Sequence, residues 1–387
     1  MRRATQAELT ERIFGYLDAG TTAMAEATYA NPVSVYTSAE QAAAERETLF
    51  RRRLQFFGLS ALWKEPGDYR TDDASGVPVL VVRNRQGRLE AFLNVCRHRG
   101  ARVVDGDGSG CRGFTCPYHG WGYALDGSLA RIPGEAGFDG LDRGRHGLRR
   151  LPLVERDGLV WVRPAPYADG EAPVDLDAHL AGLADELASY GFGDYHHFAT
   201  RRLTPQINWK IAVDGFLEAY HLASLHGATV GPIFVSDLCA SDAFGPHHRM
   251  IAVRRSFEQM RDQPAAAREF LKHTIELYTL FPNTVFVHQA DHVEAWRMFP
   301  DPERVDRCVV ELALYTPEPA TTDKARAYWQ KNLDLALDAV DTEDFRLGEG
   351  MQVGFASGAQ DAVTFGRNEP GLIHFYRTLA AALADAR

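Results

Sequence analysis

Two short runs carry residues able to hold a metal. In CRHRGARVVDGDGSGCRGFTCPYHGW, residues 96 to 121, Cys96 and His98 stand two apart and Cys116 and His119 three apart. The 17 residues from 99 to 115 separate the two pairs. Thiolate and imidazole are the donors that zinc, copper and iron–sulfur centres take. Zinc is one occupant of such a set. A zinc ribbon, however, pairs Cys with Cys, whereas here each run offers one Cys and one His. Mixed pairs suit a [2Fe–2S] cluster with two thiolates on one iron and two imidazoles on the other. Neutral imidazole is a weaker donor than thiolate, so it raises the reduction potential. Gly100, Gly113, Gly120 and Gly122 let the backbone bend around an inorganic core, and Pro117, Tyr118 and Trp121 can shield it.

A second constellation lies in NWKIAVDGFLEAYHLASLH, residues 208 to 226. On one continuous helix Asp214, Glu218 and His221 fall at i, i+4 and i+7 and share a face. His226 follows His221 by five, so a widened turn or a helix end must swing it to the same centre. Gly215 weakens a helix interior by about 1 kcal/mol against Ala and leaves room for a close neighbour. Asn208, Trp209 and Lys210 read as the start and packing of the helix. A third acidic run, DTEDFRLGEGMQ (341–352), offers Asp341, Glu343 and Asp344. The plain alternative for these acids is the first turn of a helix, where negative charge is favoured.

The elements that must position these residues change texture along the chain. Residues 4 to 30 read as helical, with Leu9, Ile13 and Leu17 on one face. Residues 31 to 45 read as a linker. Between 46 and 165 short β-rich runs surround Gln86-Gly87, Asp126-Gly127 and Asp157-Gly158, which is the pattern of hairpins. Beyond 166 helices are expected over 175–190, 208–226, 321–352 and 368–387, and strands over 196–207, 248–257, 284–298 and 307–316. The fold class is α+β. Three parts follow: residues 1–45, a small antiparallel β domain over 46–165, and a larger domain of strands and helices over 166–387.

Composition is that of an ordinary globular chain of 387 residues, 45% apolar and 24% charged. A net charge of −10 argues against nucleic acid as a partner. No run is long and apolar enough for a membrane span or a secretory leader, which points to a cytoplasmic protein. Five cysteines, two of them in the first motif, do not make a disulfide framework. Cys111, Cys239 and Cys308 read as packing residues.

The words C-R-H-R-G-A and C-P-Y-H-G-W resemble those of Rieske non-heme iron oxygenases, and specifically their large (alpha) subunits, the ring-hydroxylating family. The resemblance implies a helix-grip catalytic domain and two centres per subunit: a [2Fe–2S] cluster on Cys96, His98, Cys116 and His119, and Fe(II) on His221, His226 and a late carboxylate. Asp344 is the choice for that carboxylate, with Asp341 and Glu343 as competitors. Glu218, where many relatives have Asp, is implied to bridge His221 to His119 of a neighbouring subunit. Asp214 is implied to hydrogen-bond near the iron.

The activity implied is O₂ activation, with electrons from NAD(P)H arriving through a separate reductase, with or without a ferredoxin. The chain has no dinucleotide fingerprint of its own. Arg97, Arg99, Arg102 and Arg112 are candidates for docking the redox partner. The substrate expected is an aromatic or other hydrophobic small molecule, hydroxylated once or twice. The alternative is N- or O-dealkylation, including of quaternary ammonium compounds. Phe216, Leu217, Leu222, Leu225, Ile233 and Phe234 suggest an apolar cavity, which residues 280–300, with His288 and Trp296, are expected to line. The family implies a trimer, with or without a small β subunit. A Rieske electron carrier without oxygenase activity and a structural zinc protein are the readings from other classes.

Overall fold

A computed structural model describes residues 1–385. The chain divides into two compact units, Arg46–Leu176 and Met1–Glu45 with Asp177–Arg387.

The first unit consists of small antiparallel sheets. Tyr69–Asp72, Val79–Arg83, Leu89–Leu93 and Arg150–Leu151 form one; Phe114–Thr115, Gly122–Tyr123 and Leu129–Arg131 form another; Gln55–Leu59, Leu159–Val162 and Leu153–Arg156 form the third. All three turn signals close hairpins. Gly87 (φ 76°), Gly127 (φ 81°) and the pair Asp157 (53°) and Gly158 (79°) occupy the left-handed region. That region is easy for Gly and tolerable for Asp, and it matches the twist of paired strands.

The two Cys/His runs form near-identical loops. Cys96 N–H donates to Ala101 O (2.7 Å) and Gly100 N–H to Cys96 O (3.0 Å). In the second loop Cys116 N–H donates to Trp121 O (2.8 Å) and Gly120 N–H to Cys116 O (3.0 Å). Each loop therefore needs glycine four residues after its cysteine, and Gly100 (φ 77°) and Gly120 (φ 71°) supply it.

The second unit is built on a seven-stranded antiparallel sheet. Its order is His196–Leu203, Cys308–Thr316, Val293–Pro300, Thr284–His288, Thr274–Leu280, His247–Arg254, Phe234–Phe244. The expected single strand over 284–298 is a hairpin of two strands, because residues 289–292 turn the chain back. Phe234–Phe244 and Thr274–Leu280 are strands that the sequence reading missed.

Helix Arg3–Ala19 buries Leu9 and Ile13. Residues 31–45 are not a plain linker: Tyr29–Pro32 pairs with Ala362–Phe365, and Ala39–Glu45 is helical. The long acidic helix is one rod in three parts, Asp323–Leu337, the widened π-helical stretch Asp338–Phe345, and Arg346–Ala356. The last helix, Pro370–Ala384, stops short of 386–387, which lie outside the described residues. Among the described residues no helix is long and apolar enough to cross a membrane.

The helix expected over 208–226 does not run through. Trp209–Asp214 ends at Gly215, and a second short helix spans Leu222–Leu225. The break arises because Glu218 Oε2 accepts the backbone N–H of Tyr220 and His221. A side chain that takes those donors starts a new turn rather than continuing an old one. Asp214 therefore does not share a face with Glu218 and His221.

Candidate metal centres

In the β unit Cys96 and Cys116 are 3% and 2% exposed. The His98 ring stacks on Trp121 (4.9 Å, 6°), Tyr118 covers His119 (3.7 Å), and the two imidazoles lie 4.6 Å apart. Nδ1 of both His98 and His119 is buried without a hydrogen-bond partner. An unpaired buried polar atom is costly, and two on neighbouring rings mark donors waiting for an acceptor such as a metal. Burial pushes the Cys116 thiol up, partly offset by the backbone N–H of Tyr118, while Cys96 pushes it further up. Tyr123 Oη sits 3.3 Å from Cys96 Sγ. Two thiols and two orphaned imidazole nitrogens fit a cluster held two-and-two.

In the sheet unit His221, His226 and Asp344 converge, each offering one donor atom within 4.8 Å of the others. His226 Nε2 lies 3.2 Å and His221 Nε2 3.7 Å from Asp344 Oδ1. His226 reaches the centre from the end of helix Leu222–Leu225. Of the three candidate acids, only Asp344 joins the group: Asp341 is exposed, and Glu343 Oε2 instead lies 2.5 Å from His226 Nδ1. Thr229 Oγ1 steadies Glu343 with a 2.6 Å bond. Glu218 Oε1 pairs with His221 Nδ1.

Both histidines thus have a carboxylate behind them, which fixes the tautomer that leaves Nε2 free. Burial alone would lower the affinity of His226 for a proton, yet Asp344 and Glu343 raise it overall. Two imidazoles and one carboxylate leave coordination positions open, as an iron that binds O₂ requires.

Other sequence candidates are placed elsewhere. Asp214 accepts from Tyr36 and Tyr376, each at 2.8 Å, and makes no bond to His221 or His226. Gly215 faces Asp344, at which a Cβ would stand 3.8 Å from Cγ. Asn208 caps its own helix through Lys210 N–H (3.1 Å).

A cavity of about 520 Å³ opens over the triad. Phe216, Leu222, Ile233 and Phe234 line it, but Leu217 and Leu225 do not. His288 and Trp296 are occupied with Glu276 and Glu294 instead. The sheet contributes Met250, Ala252, Ile275, Leu277 and Val287. The stretch expected over 280–300 does line the cavity, but through Val287, Gln289, Asp291, His292 and Glu294, and Arg254 joins this polar group from a strand the sequence reading did not connect with the site.

Residues 192–385 match the family described as ring hydroxylating alpha subunit (catalytic domain). The chain belongs to this family. Residues 58–148 of this oxygenase match the Rieske [2Fe-2S] domain, so the family's cofactors are a Rieske cluster and a mononuclear iron. An electron carrier or a zinc protein would leave the catalytic-domain match without an account.

The glycine betaine monooxygenase oxygenase subunit of Chromohalobacter salexigens is 30% identical over 242 residues, 62% of this chain and 53% of that protein. The carnitine monooxygenase oxygenase subunit of Escherichia coli is 26% identical over 368 residues, 92% of this chain and 94% of that protein. A match thus spans about half of the first relative and nearly all of the second. The solved quaternary ammonium Rieske monooxygenase in complex with L-carnitine has a TM-score of 0.77 at 21% identity, covering 93% of this Rieske oxygenase and 96% of that chain. At that identity the likeness is one of fold.

Proposed function

We propose that this oxygenase is the terminal component of a multicomponent system and that it oxidises a small quaternary ammonium compound, removing an N-alkyl group or hydroxylating beside it. One observation carries this reading: the cavity over the triad has an apolar floor and a charged end. A pure hydrocarbon would strip water from those charges and return no contact. A quaternary ammonium group over the triad finds apolar lining and the side chain of Phe216, while the charged end takes the polar remainder of the molecule. The names of the two relatives agree with it. Hydroxylation of an aromatic compound, with one or two oxygens inserted, is the second reading, favoured by the floor of Met250, Ala252, Ile275, Leu277 and Val287.

In this reading Cys96, His98, Cys116 and His119 hold the cluster, and His221, His226 and Asp344 hold the iron. When bound, these groups supply one-electron transfer and O₂ activation. Glu218 keeps His221 Nε2 pointed at the metal. Its Oε1 has a lone pair beyond the one given to His221, which an imidazole N–H of His119 in a neighbouring copy would fill. That bridge calls for a ring of copies, most simply a trimer. A reductase or ferredoxin carrying electrons from NAD(P)H would dock at Arg97, Arg99 and Arg112, which are exposed; Arg102 is taken by Asp73. The division into 1–45, a cluster domain over 46–165 and an iron domain over 166–387 belongs to the same reading. So does a cytoplasmic location.

The test is turnover with a promiscuous reductase, NADH and ¹⁸O₂ on quaternary ammonium compounds and arenes. One labelled atom per turnover with loss of an N-alkyl group is expected. Label entering only arenes would favour the second reading, and no label in any product would overturn both.

A further inference from the structure

The polar end of the cavity contains a guanidinium, Arg254, that feels the charges of Glu276 and Asp291 but forms no direct ion pair with either among the described residues. Arg254 ends strand His247–Arg254, on the face that carries Met250 and Ala252. Its Nε donates to Thr274 O (3.3 Å) and its Nη2 to Gln289 Oε1 (2.9 Å). Gln289 Nε2 in turn donates to Glu294 Oε1 (3.3 Å), which fixes the amide with its oxygen toward the guanidinium. A guanidinium has five N–H donors, so three remain unused here.

Other arginines shielded from solvent in this chain are matched to carboxylates: Arg249 to Glu186 and Asp242, Arg83 to Glu155, Arg163 to Glu171. Among the described residues Arg254 has no such pair. The nearby acids are already engaged. His292 lies between Asp291 (2.8 Å) and Glu294 (3.7 Å). Burial lowers its affinity for a proton, but these two acids raise it to about 9, so it stays charged at neutral pH. Lys272, also at this end, adds positive potential, although it is itself paired with Glu269.

We infer that Arg254 is a subsite for a carboxylate of the substrate, placing the oxidised carbon at the other end of the cavity, over His221, His226 and Asp344. The inference rests on the cavity being the substrate site. A planar fork matches a carboxylate through two parallel bonds, and the shielded setting strengthens them. The substrate class is then a small acid whose far end is apolar or quaternary.

Calorimetric binding to the full, metal-loaded chain tests this without turnover. The probes are γ-butyrobetaine with its methyl ester, and 3-phenylpropanoate with its amide. At least one acid should bind about 10- to 100-fold more tightly than its neutral partner, the range for a charge-assisted contact. Arg254→Gln should bring that acid down to its neutral partner's affinity and leave the neutral partner unchanged. Arg254→Lys should fall between, since it keeps charge but loses the fork. Equal binding of acid and neutral partner in both pairs, binding of neither, or an acid preference that survives Arg254→Gln would overturn the subsite. The wild-type comparison decides even if a variant fails to fold. Should 3-phenylpropanoate alone show the Arg254-dependent preference, the subsite stands and the quaternary ammonium reading falls.

Discussion

Glu343 Oε2 lies 2.5 Å from Nδ1 of His226, while the next residue, Asp344, presents Oδ1 3.2 Å from Nε2 of the same ring. Adjacent acids on one helix thus address the two nitrogens of one imidazole. The nearer contact orients the ring and the farther one completes the donor set. Glu343→Ala should therefore weaken iron binding by about 10- to 100-fold while the cluster spectrum is unchanged. Iron content after dialysis against a graded chelator measures this. Retention equal to wild type would show that Glu343 merely binds Thr229.

Asp344→Ala should remove the mononuclear iron and nearly all oxygenation. Asp341→Ala should remove neither, because Asp341 is exposed and outside the converging group. Metal analysis with the visible spectrum as an internal control separates the two. The reverse result would move the third ligand to Asp341.

Asp214 gives a pH dependence of stability. Burial raises its carboxyl to about 7, against the hydrogen bonds of Tyr36 and Tyr376 and the charge of Lys210. An unfolded chain releases that proton near pH 4. The contribution is thus full below about pH 4 and is lost as pH rises toward 7, at up to about 1.4 kcal/mol per unit. Asp214→Asn should flatten this part of the profile. Melting temperatures of both proteins from pH 5 to 8 give the comparison, and parallel profiles would rule the account out.

Lys210 and Glu45 form a pair with no exposure on either side chain, at 2.7 Å, and Trp209 Nε1 donates to the same carboxylate at 2.9 Å. Glu45→Leu should cost about 3–5 kcal/mol, since it strands a buried ammonium. Adding Lys210→Met should recover most of that loss. A double variant as unstable as the single one would mean that packing, not charge, is what Glu45 provides.

Much of this was legible in the amino acids, for local reasons. The cluster loops are short and closed by their own hydrogen bonds, so donor spacing alone reports them. The hairpins announce themselves through Gly87, Gly127 and Asp157-Gly158, whose backbone needs are peculiar to those residue types. What escaped depends on distant parts of the chain. Periodicity placed Asp214 with His221, but it cannot sense that Glu218 restarts the helix or that Tyr36 and Tyr376 claim Asp214. The turn at 289–292 lacks glycine, so two strands read as one. Arg254, Gln289 and Glu294 belong together only through cross-strand register. Glu343 looked like a rival to Asp344 because neighbours in a regular helix point about 100° apart and do not serve one ring.

The widened stretch Asp338–Phe345 is what relaxes that rule. A π-helical turn is an ordinary helix holding one surplus residue. Taking a residue out between 338 and 343 would let the rod close into a regular coil, shortened by about 1.5 Å and rotated by about 100° beyond the cut. The chain on either side would still be helical, but the acid would face away from the histidines. Chemistry in this protein therefore hangs on a count of residues as much as on their kind: one omission would leave the rod standing and the centre incomplete.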